Sequence, residues 1–239
     1  MNRLLNRVVR KISTTVARVY EVVKYGDLVS IVYSQEGEDV LLNRIFNNQA
    51  SGFYVDVGAH HPVRFSNTYH FYKQNWSGIN IEPNPDAFTL FEKARKNDIN
   101  LNCGIANKKD SLKYYMFNEP ALNTFSNDVL RERTHLSGFT HIKTLTVDVL
   151  PLAEVLEQFL PPDKAVDFLS IDVEGFDLEV LKSNNWSKFR PRWVLVEQLN
   201  LEDIENLDFD IHHFMKTHNY VLFAKMYNTL FYKEISHKR

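Results

Sequence analysis

The sequence predicts an α/β domain built on a mainly parallel sheet, and three observations lead to this prediction. Short β-rich runs alternate with segments in which apolar residues recur every three or four positions. Most of these runs are separated by enough chain for a crossover helix, as neighbouring parallel strands require. The last two runs, residues 220–224 and 229–232, are too close together for a crossover, so this pair is predicted to be antiparallel.

Composition narrows the class of protein. The chain has 239 residues, 44% of them hydrophobic and 24% charged, which suits one domain with an extension better than several domains. A net charge of −2 argues against a nucleic-acid binder that works through bulk positive charge. The single cysteine, Cys103, excludes a disulfide scaffold and a cysteine-based zinc site. Because no apolar run approaches the roughly 18 residues of a membrane span, a cytoplasmic protein is expected.

Residues 1–33 are predicted to form a helical extension. Six lysines and arginines precede Tyr25, with Glu21 as the only acid, and apolar residues recur at helical spacing. Such a basic amphipathic helix suits peripheral contact of residues 1–24 with the inner face of an anionic membrane. It equally suits a helix that caps the domain or packs on a partner chain. A cleaved signal peptide is excluded because arginines interrupt the apolar stretch at every turn.

Residues 34–239 are predicted to form the main domain, and its elements follow from local patterns. Residues 34–47 begin with serine and an acidic first turn, which is typical of a capped helix. Residues 53–57 are a β-rich run between glycines, and Asn84-Pro85 starts the helix at 86–96. The other predicted helices are 68–75, 152–159, 176–181 and 211–217, and the other strands are 78–82, 99–105, 142–147, 166–173 and 193–197. Residues 112–117 are predicted as a hairpin element, and 123–138 as irregular with one helical turn at 129–133.

The ends of these strands are where chemistry is expected, because open parallel sheets bind ligands beyond the carboxyl ends of their strands. Gly58, Gly104 and Gly175 directly follow predicted strands, which predicts that the backbone closely approaches another group there. The dinucleotide pattern G-x-G-x-x-G is not met, since His60 and Val63 occupy its second and third glycine positions. A nucleotide-dependent oxidoreductase therefore remains only an alternative.

An adenosine ligand without phosphates fits better. Glu82 follows Asp56 by 26 positions, near the usual spacing for an acid that accepts hydrogen bonds from ribose hydroxyls. Asp56 precedes the glycine of the turn, which disfavours a phosphate and favours a cationic group. S-adenosylmethionine carries both an ammonium and a sulfonium. The residues thus favour a methyltransferase over a dehydrogenase.

Five strings carry a family resemblance: FYVDVGA at 53–59, NIEPN at 80–84, TVDVL at 146–150, LSIDVEG at 169–175 and VLVE at 194–197. In this order they resemble the FkbM-type family of S-adenosylmethionine-dependent methyltransferases, over residues 34–232. The resemblance implies a Rossmann-like class I sheet of seven strands, mostly parallel, with the last strand antiparallel. It also implies O-methylation, often of sugars, polysaccharides or small natural products. One departure is Pro62, which stands where the broader pattern D-x-G-x-x-x-G has its second glycine.

The resemblance assigns cofactor roles to residues at the strand ends. Asp56 and Gly58, with Ala59 beside them, are expected to hold the methionine portion of S-adenosylmethionine. Glu82, followed by Pro83, is expected to bind the ribose. Cys103 and Gly104 are expected to line the adenine, although Cys103 would suit a buried core position equally well. Asn67 and Thr68 are interpreted as helix-capping residues rather than as ligands of the cofactor carboxylate.

Asp172 and Glu174 are the main catalytic candidates, and Asp172 is also expected to contact the cofactor. Residues two apart on a strand point the same way, and paired carboxylates raise one pKa, which yields a general base for an acceptor hydroxyl. The alternative is a structural carboxylate bonded to the amides of the helix after Gly175. His60 is a further candidate base. A divalent cation held by Asp172 with Glu197 and Gln198 is an open question, less favoured than no metal.

The segment 118–141 has two interpretations. Four of its side chains, Arg131, Arg133, His135 and His141, suit an acidic or phosphorylated glycan acceptor, or the segment is a solvated surface loop. A non-catalytic, membrane-associated binding module on the same fold remains a third class of function. The acceptor is therefore expected to be a glycan or another small molecule, and neither its identity nor the oligomeric state follows from the sequence.

Overall fold

A computed structural model describes residues 16–17, 19–26, 30–47, 49–201 and 203–235. The chain divides into two compact units on either side of the Val32–Tyr33 bond. In the first unit residues 16–17 and 19–25 are helical, and the ammonium of Lys24 lies 4.8 Å from the ring centre of Tyr25. Most of the predicted basic helix lies outside the described residues, so membrane contact and the boundary at 33/34 stay predictions. Among the described residues, no helix has the length and apolar character to cross a bilayer.

The second unit alternates strands and helices. In its described part the helices are α1 (Glu38–Ile45), α2 (Tyr69–Tyr72), α3 (Pro85–Ala94), α4 (Asn127–Thr134), α5 (Leu152–Phe159), α6 (Asp177–Lys182) and α7 (Asp210–Thr217). The strands are β1 (Phe53–Val57), β2 (Ser77–Ile81), β3 (Ile99–Leu101), β4 (Gly104–Ile105), β5 (Asp110–Phe117), β6 (His141–Leu150), β7 (Phe168–Ile171), β8 (Trp193–Glu197), β9 (Tyr220–Met226) and β10 (Thr229–Glu234).

The main sheet has seven strands in the order β3-β2-β1-β7-β8-β10-β9. Strand β1 pairs in parallel with β2 and β7, and β7 pairs in parallel with β8. Strand β10 runs antiparallel to both β8 and β9. This order confirms the predicted mostly parallel Rossmann-like sheet with an antiparallel closing pair. The strand order reverses between β1 and β7, which is the point where such sheets bind ligands.

A second sheet, of order β4-β6-β5, was not predicted. The predicted strand 99–105 is two strands that belong to different sheets, because the chain turns at Asn102. The side-chain amide of Asn102 donates to the carbonyl oxygens of Glu82 (2.8 Å) and Pro83 (3.2 Å), which ties this turn to the end of β2. The predicted hairpin element is β5, which pairs antiparallel with β6 along its whole length.

The helical turn predicted at 129–133 is confirmed, but it belongs to a longer helix, α4, so the surrounding prediction of an irregular segment was wrong at residues 127–128 and 134. The Ser126 hydroxyl accepts the amide of Val129 at 3.3 Å and so caps this helix. Val129 is buried. A short 3-10 turn, Pro120–Leu122, precedes the helix. The low apolar content of α4 hides its periodicity, and only the serine cap signals its start.

Both faces of the main sheet are covered, as its continuous apolar strands require. One face packs Val55, Ile79, Leu169 and Val194 against apolar side chains of α5, α6 and α7. The other face is largely aromatic, with Phe46, Tyr54, Phe71, Trp76 and Phe168 in one cluster. The alternation of neighbours such as Tyr54 and Val55 between these clusters follows from the two-residue period of a strand. The sheet is therefore a rigid base whose carboxyl edge carries the polar residues.

The glycine that follows β1 is required by the chain itself. Gly58 has a φ of 81°, and a Cβ atom there would lie 1.9 Å from the carbonyl oxygen of Asp172. Gly175 has a φ of 88°, and its Cβ would lie 2.6 Å from a methyl group of Val129. The close approach predicted from the sequence thus exists, and it brings together segments of this protein at the ends of β1 and β7.

We expect Gly58→Ala to lower the free energy of unfolding by about 3 kcal/mol or more, because strain at positive φ adds to a backbone clash. Gly138→Ala is the matched control, since Gly138 has a φ of 94° and a Cβ atom there would have no neighbour within 4 Å. In Gly138→Ala the free energy of unfolding should fall by about 1 kcal/mol, because only backbone strain opposes this substitution. Urea unfolding followed by tryptophan fluorescence measures the free energy of unfolding of both variants. An equal decrease in the two variants would contradict a backbone clash at position 58.

Candidate active site at the carboxyl edge of the sheet

A cleft opens at the carboxyl ends of β1, β2 and β7. The ends of these strands and the segments that follow them line the cleft with eight of the predicted site residues, namely Asp56, Gly58, Ala59, His60, Glu82, Pro83, Asp172 and Glu174. Its remaining wall includes Tyr114 of β5 and the segment around Pro120, Asn123 and Phe125. The cleft and its open mouth together span about 740 Å³, but the cleft itself is narrow, so a nucleoside enters only if side chains at its walls move.

Cys103 and Gly104 do not line this cleft. The chain leaves the main sheet at Asn102, and a Cβ atom on Gly104 would lie 2.5 Å from the ring of Phe125. Burial raises the pKa of the Cys103 thiol to about 11, so the thiol is protonated at neutral pH. The contact of Cys103 and Gly104 with adenine stays a prediction, and the Phe125 ring occupies the space beside Gly104.

Glu82 is buried at the end of β2 and joins the ends of two strands. Its Oε2 accepts the backbone amide of His60 and its Oε1 accepts that of Asn84, both at 2.7 Å. Burial raises the pKa of Glu82 to about 7, while these two amide donors oppose the rise. Each carboxylate oxygen can accept a second hydrogen bond. The Glu82 carboxylate is thus fixed in orientation, and it can still accept hydrogen bonds from a ligand.

Asp56 is buried near the end of β1, and its Oδ2 accepts the hydroxyl of Thr68 at 3.0 Å. Burial raises the pKa of Asp56 to about 6, and the Thr68 hydrogen bond opposes this rise. The capping role expected of Thr68 was wrong for its side chain, because the Ser66 hydroxyl accepts the amide of Tyr69 instead. Asn67 lines the cleft and donates to the Ser170 hydroxyl at 3.0 Å.

Three carboxyl groups converge beside the cleft. Asp172, Glu174 and Glu197 each place one oxygen within 4.8 Å of the others. Desolvation and the neighbouring carboxylates raise the pKa of both Asp172 and Glu197, although the Asp172 side chain is exposed and Glu197 is only partly buried. Glu174 forms an ion pair with Arg133 of α4, and both side chains are largely buried. The raised pKa of Glu197 favours its protonated form, which leaves the exposed Asp172 as the carboxyl of this pair that can ionise.

Asp177, which the sequence analysis missed, takes the structural role considered for Asp172 and Glu174. Its Oδ1 accepts the amide of Val173 at 3.1 Å and its Oδ2 that of Gly175 at 3.0 Å. Burial raises the pKa of Asp177 to about 7. The available signal was an aspartate two residues after a strand-end glycine, in the first turn of a helix. Because Asp177 bonds these amides, the carboxyl groups of Asp172 and Glu174 remain available for other partners.

His60 is placed in the cleft but is poorly suited to act as a base. Burial and the guanidinium of Arg64 lower the pKa of His60 to about 4, so its imidazole is neutral and weakly basic at pH 7. The Arg64 guanidinium lies 3.3 Å from its Nε2. His61 accepts the amides of Val63 and Arg64 through Nδ1, at 3.0 and 2.9 Å, and acts as a turn residue.

The oxygens of Asp172, Glu174 and Glu197 are hard ligands of the type that divalent cations prefer. The Arg133 guanidinium already supplies one positive charge to this group. Gln198, considered as a ligand from the sequence, donates its side-chain amide to the carbonyl of Leu199. A divalent cation at this group stays the less favoured prediction, because it would compete with the Arg133 guanidinium for the same carboxylates.

The side chains of residues 118–141, the segment predicted to bind an acidic acceptor, mostly form contacts within the protein. Arg133 also donates to the carbonyl of Leu122, and Arg131 pairs with Asp128 at the surface. His141 lies 2.9 Å from the Thr144 hydroxyl. The Thr124 hydroxyl donates to the Glu174 carbonyl at 2.8 Å. These bonds hold the segment over the cleft.

A family model described as the methyltransferase FkbM domain matches residues 56–222. The chain belongs to the FkbM methyltransferase family. The matched range begins at Asp56 and contains every predicted site residue, and it leaves the first unit outside the FkbM domain. Membership supports methyl transfer as the class of reaction. Searches of curated proteins and of solved structures returned no match.

The acid cluster gives a test by paired substitutions. We expect Glu197→Gln to leave the free energy of unfolding at pH 7.5 unchanged or raised by about 1 kcal/mol, because it removes a carboxyl whose ionisation the site opposes. Glu174→Gln should lower it by about 3 kcal/mol, because Arg133 loses its counter-ion. Chemical denaturation at matched pH compares them, and similar losses in both variants would refute this division of roles.

Proposed function

We propose that this FkbM-family protein is an S-adenosylmethionine-dependent O-methyltransferase that acts on a hydroxyl of a sugar, a polysaccharide or a small natural product. The observation that carries the proposal is the convergence of Asp56, Glu82 and Asp172 on one cleft at the reversal point of the strand order. Family membership supplies the reaction class. The acidic residues that line the cleft support S-adenosylmethionine as the cofactor.

The residues present fit a cationic nucleoside. The described residues that line the cleft include two buried acids, Asp56 and Glu82, and no lysine or arginine. A pyrophosphate would be repelled by such a lining, whereas an ammonium and a sulfonium would be stabilised. This charge pattern favours methyl transfer over the nucleotide-dependent oxidoreductase considered from the sequence. Glu82 would accept the ribose hydroxyls, and Asp56 would lie near the amino-acid end.

The bound cofactor would supply an activated methyl group, and the chain would position the acceptor and remove its proton. Asp172 is the best-placed base, because its side chain is exposed in the cleft, desolvation and the Glu174 carboxylate raise its pKa, and Glu197 would hold the proton of the pair. Glu174 is less available because Arg133 pairs with it. Alignment of the acceptor oxygen would account for much of the acceleration.

An open groove next to the acid cluster is the proposed acceptor site. Its described lining consists of Gly175, Asp177, Leu178, Glu197, Gln198, Leu199, Phe209, Asp210 and Ile211. Carboxyl and amide groups beside an aromatic ring suit a neutral or cationic polyhydroxylated molecule. An acidic glycan, considered from the arginines of residues 118–141, fits this lining less well because its charge has the same sign.

We expect the purified protein to bind S-adenosylmethionine, measured by isothermal titration calorimetry, more tightly than NAD. Glu82→Ala should weaken this binding about a hundredfold through the loss of charge-assisted bonds to the ribose. Asp86→Ala is the matched control, because Asp86 is an exposed acid four residues away, and its affinity should stay within twofold. Unchanged affinity in Glu82→Ala, with the fold intact, would refute the ribose assignment.

Asp172→Asn tests the proposed base. With a labelled methyl donor and a glycan extract as acceptor, we expect the rate to fall about a hundredfold, which is the usual contribution of a general base. Binding of S-adenosylhomocysteine should change less than threefold. A folded wild-type protein that binds the donor and labels no acceptor fraction would instead favour the non-catalytic binding module.

A further inference from the structure

A buried arginine lies behind the cleft and has no role in the chemistry described so far. Arg95 follows α3 and is fully buried. Its Nε donates to Asp98 Oδ2 at 2.9 Å, and its Nη1 donates to the carbonyl oxygen of Pro62 at 2.9 Å. Its Nη2 donates to the Tyr54 hydroxyl at 2.8 Å and to Thr68 Oγ1 at 2.9 Å. One guanidinium thus reaches α2, β1 and the turn after β1.

The charge of Arg95 is balanced and anchored by Asp98. The two oxygens of Asp98 also accept the Tyr54 hydroxyl, the Gly78 amide and the side-chain amide of Asn80. These donors belong to β1 and β2. A buried ion pair with satisfied hydrogen bonds on both partners has one geometry, so Arg95 is held rigidly with respect to the main sheet.

Two hydrogen bonds connect Arg95 to Asp56 through Thr68, and the donor of each can be assigned. A guanidinium has no acceptor, so Thr68 Oγ1 must accept from Arg95. The Thr68 hydroxyl hydrogen is then free to point at Asp56 Oδ2, which lies 3.0 Å away. The Ser66 hydroxyl lies 3.2 Å from Thr68 Oγ1, and because Ser66 also accepts the Tyr69 amide, its hydrogen can point toward Thr68. With the hydrogens in this arrangement, the network presents a donor to Asp56.

The same guanidinium holds the other side of the cofactor turn. Pro62 occupies the position where the broader methyltransferase pattern has glycine, and its carbonyl is bonded to Arg95. His60, two residues earlier, presents its backbone amide to Glu82. Arg95 is thus linked to both acids of the cleft, to Asp56 through Thr68 and to Glu82 through the turn at 60–62.

We infer that Arg95 and Thr68 are positioning residues that fix the carboxylate of Asp56 and the turn at 60–62 for a cationic ligand. This inference rests on the proposed function, because it takes Asp56 as the acid that faces the cofactor's amino-acid end. Neither residue lines the cleft, so both act through Asp56 and Pro62.

The charged surroundings of Asp56 give the inference a pH signature. Arg95 and Asp98 lie behind it, Glu82 lies after β2, and Asp172 lines the same cleft after β7. Burial raises the pKa of Asp56 to about 6, and the Thr68 donor and Arg95 hold it down. A cation binds the ionised form, so affinity rises as pH increases through this value. Loss of the Thr68 hydroxyl should move that rise to higher pH.

The test compares Thr68→Val, which keeps the shape and removes the donor, with Thr68→Ser, which keeps the donor. S-adenosylhomocysteine binding is measured by calorimetry from pH 5.5 to 8. If the pKa of Asp56 rises by about one unit in Thr68→Val, the affinity falls roughly eightfold at pH 5.5 and less than twofold at pH 8. Thr68→Ser should match the wild type within twofold at every pH. A purely structural role would lower affinity by a similar factor across the range.

A second measurement does not depend on ligand binding. The ¹³C shift of the Asp56 carboxyl carbon, followed by NMR in the ligand-free proteins, should titrate about one pH unit higher in Thr68→Val than in the wild type. Identical titration midpoints would overturn the inference. Should Thr68→Val fail to fold, Arg95→Lys replaces it, because lysine keeps the charge but cannot bond Thr68 and Pro62 together. Wild-type protein that does not bind S-adenosylhomocysteine, yet shows the NMR difference, would refute the proposed function and leave the network intact.

Discussion

Burial of carboxyl groups at one edge of a sheet is the constraint on which the rest of this structure depends. An unpartnered buried carboxylate is strongly unfavourable, so each acid must have donors, a cation or a proton. Glu82 and Asp177 each accept two backbone amides, and Asp56 accepts a hydroxyl. Glu174 has Arg133, the raised pKa of Glu197 favours its protonated form, and Asp172 is exposed to the cleft. The chain thus holds Asp56 and Glu82 in fixed orientations, and the described residues that line the cleft beside them include no lysine or arginine.

Backbone geometry makes these partnerships available. His60 and Glu174 both have positive φ, at 56°, and each lies three residues after the end of its strand, β1 and β7 respectively. Such conformations are uncommon for residues other than glycine and concentrate at functional sites. At His60 the turn directs an amide toward Glu82, and at Glu174 it directs the carbonyl to Thr124. The second sheet and α4 complete the site, because they carry Arg133 and Phe125 to the strand ends.

The sequence alone predicted the main sheet because its strands are short, apolar and bounded by glycine or acidic residues. The positions of Asp56, Glu82 and Asp172 followed from the strand ends themselves. The split of 99–105 into two strands could not be predicted, since it depends on Asn102 reaching the carbonyls of Glu82 and Pro83. Periodicity reports burial along one segment and carries no information on which sheet a strand joins.

The hydrogen-bond partners of the site residues could not be predicted from the sequence either. Arg95 lies 39 positions after Asp56, and only the packing of α2 against β1 brings Thr68 between them. Thr68 itself was predicted as a cap because its position before a helix favours that role. Cys103 and Gly104 were assigned to adenine by the family resemblance, and the turn at Asn102 places them behind Phe125. Tertiary contacts decided each of these cases.

The most direct test of the central claim is a crystal structure of the protein with S-adenosylhomocysteine. The account predicts the ribose hydroxyls within about 3 Å of the Glu82 carboxylate, with the ammonium group on the side of Asp56. It also predicts that Phe125 or its neighbours have moved to widen the cleft. A nucleoside bound elsewhere, or bound here with its ribose turned away from Glu82, would contradict the account.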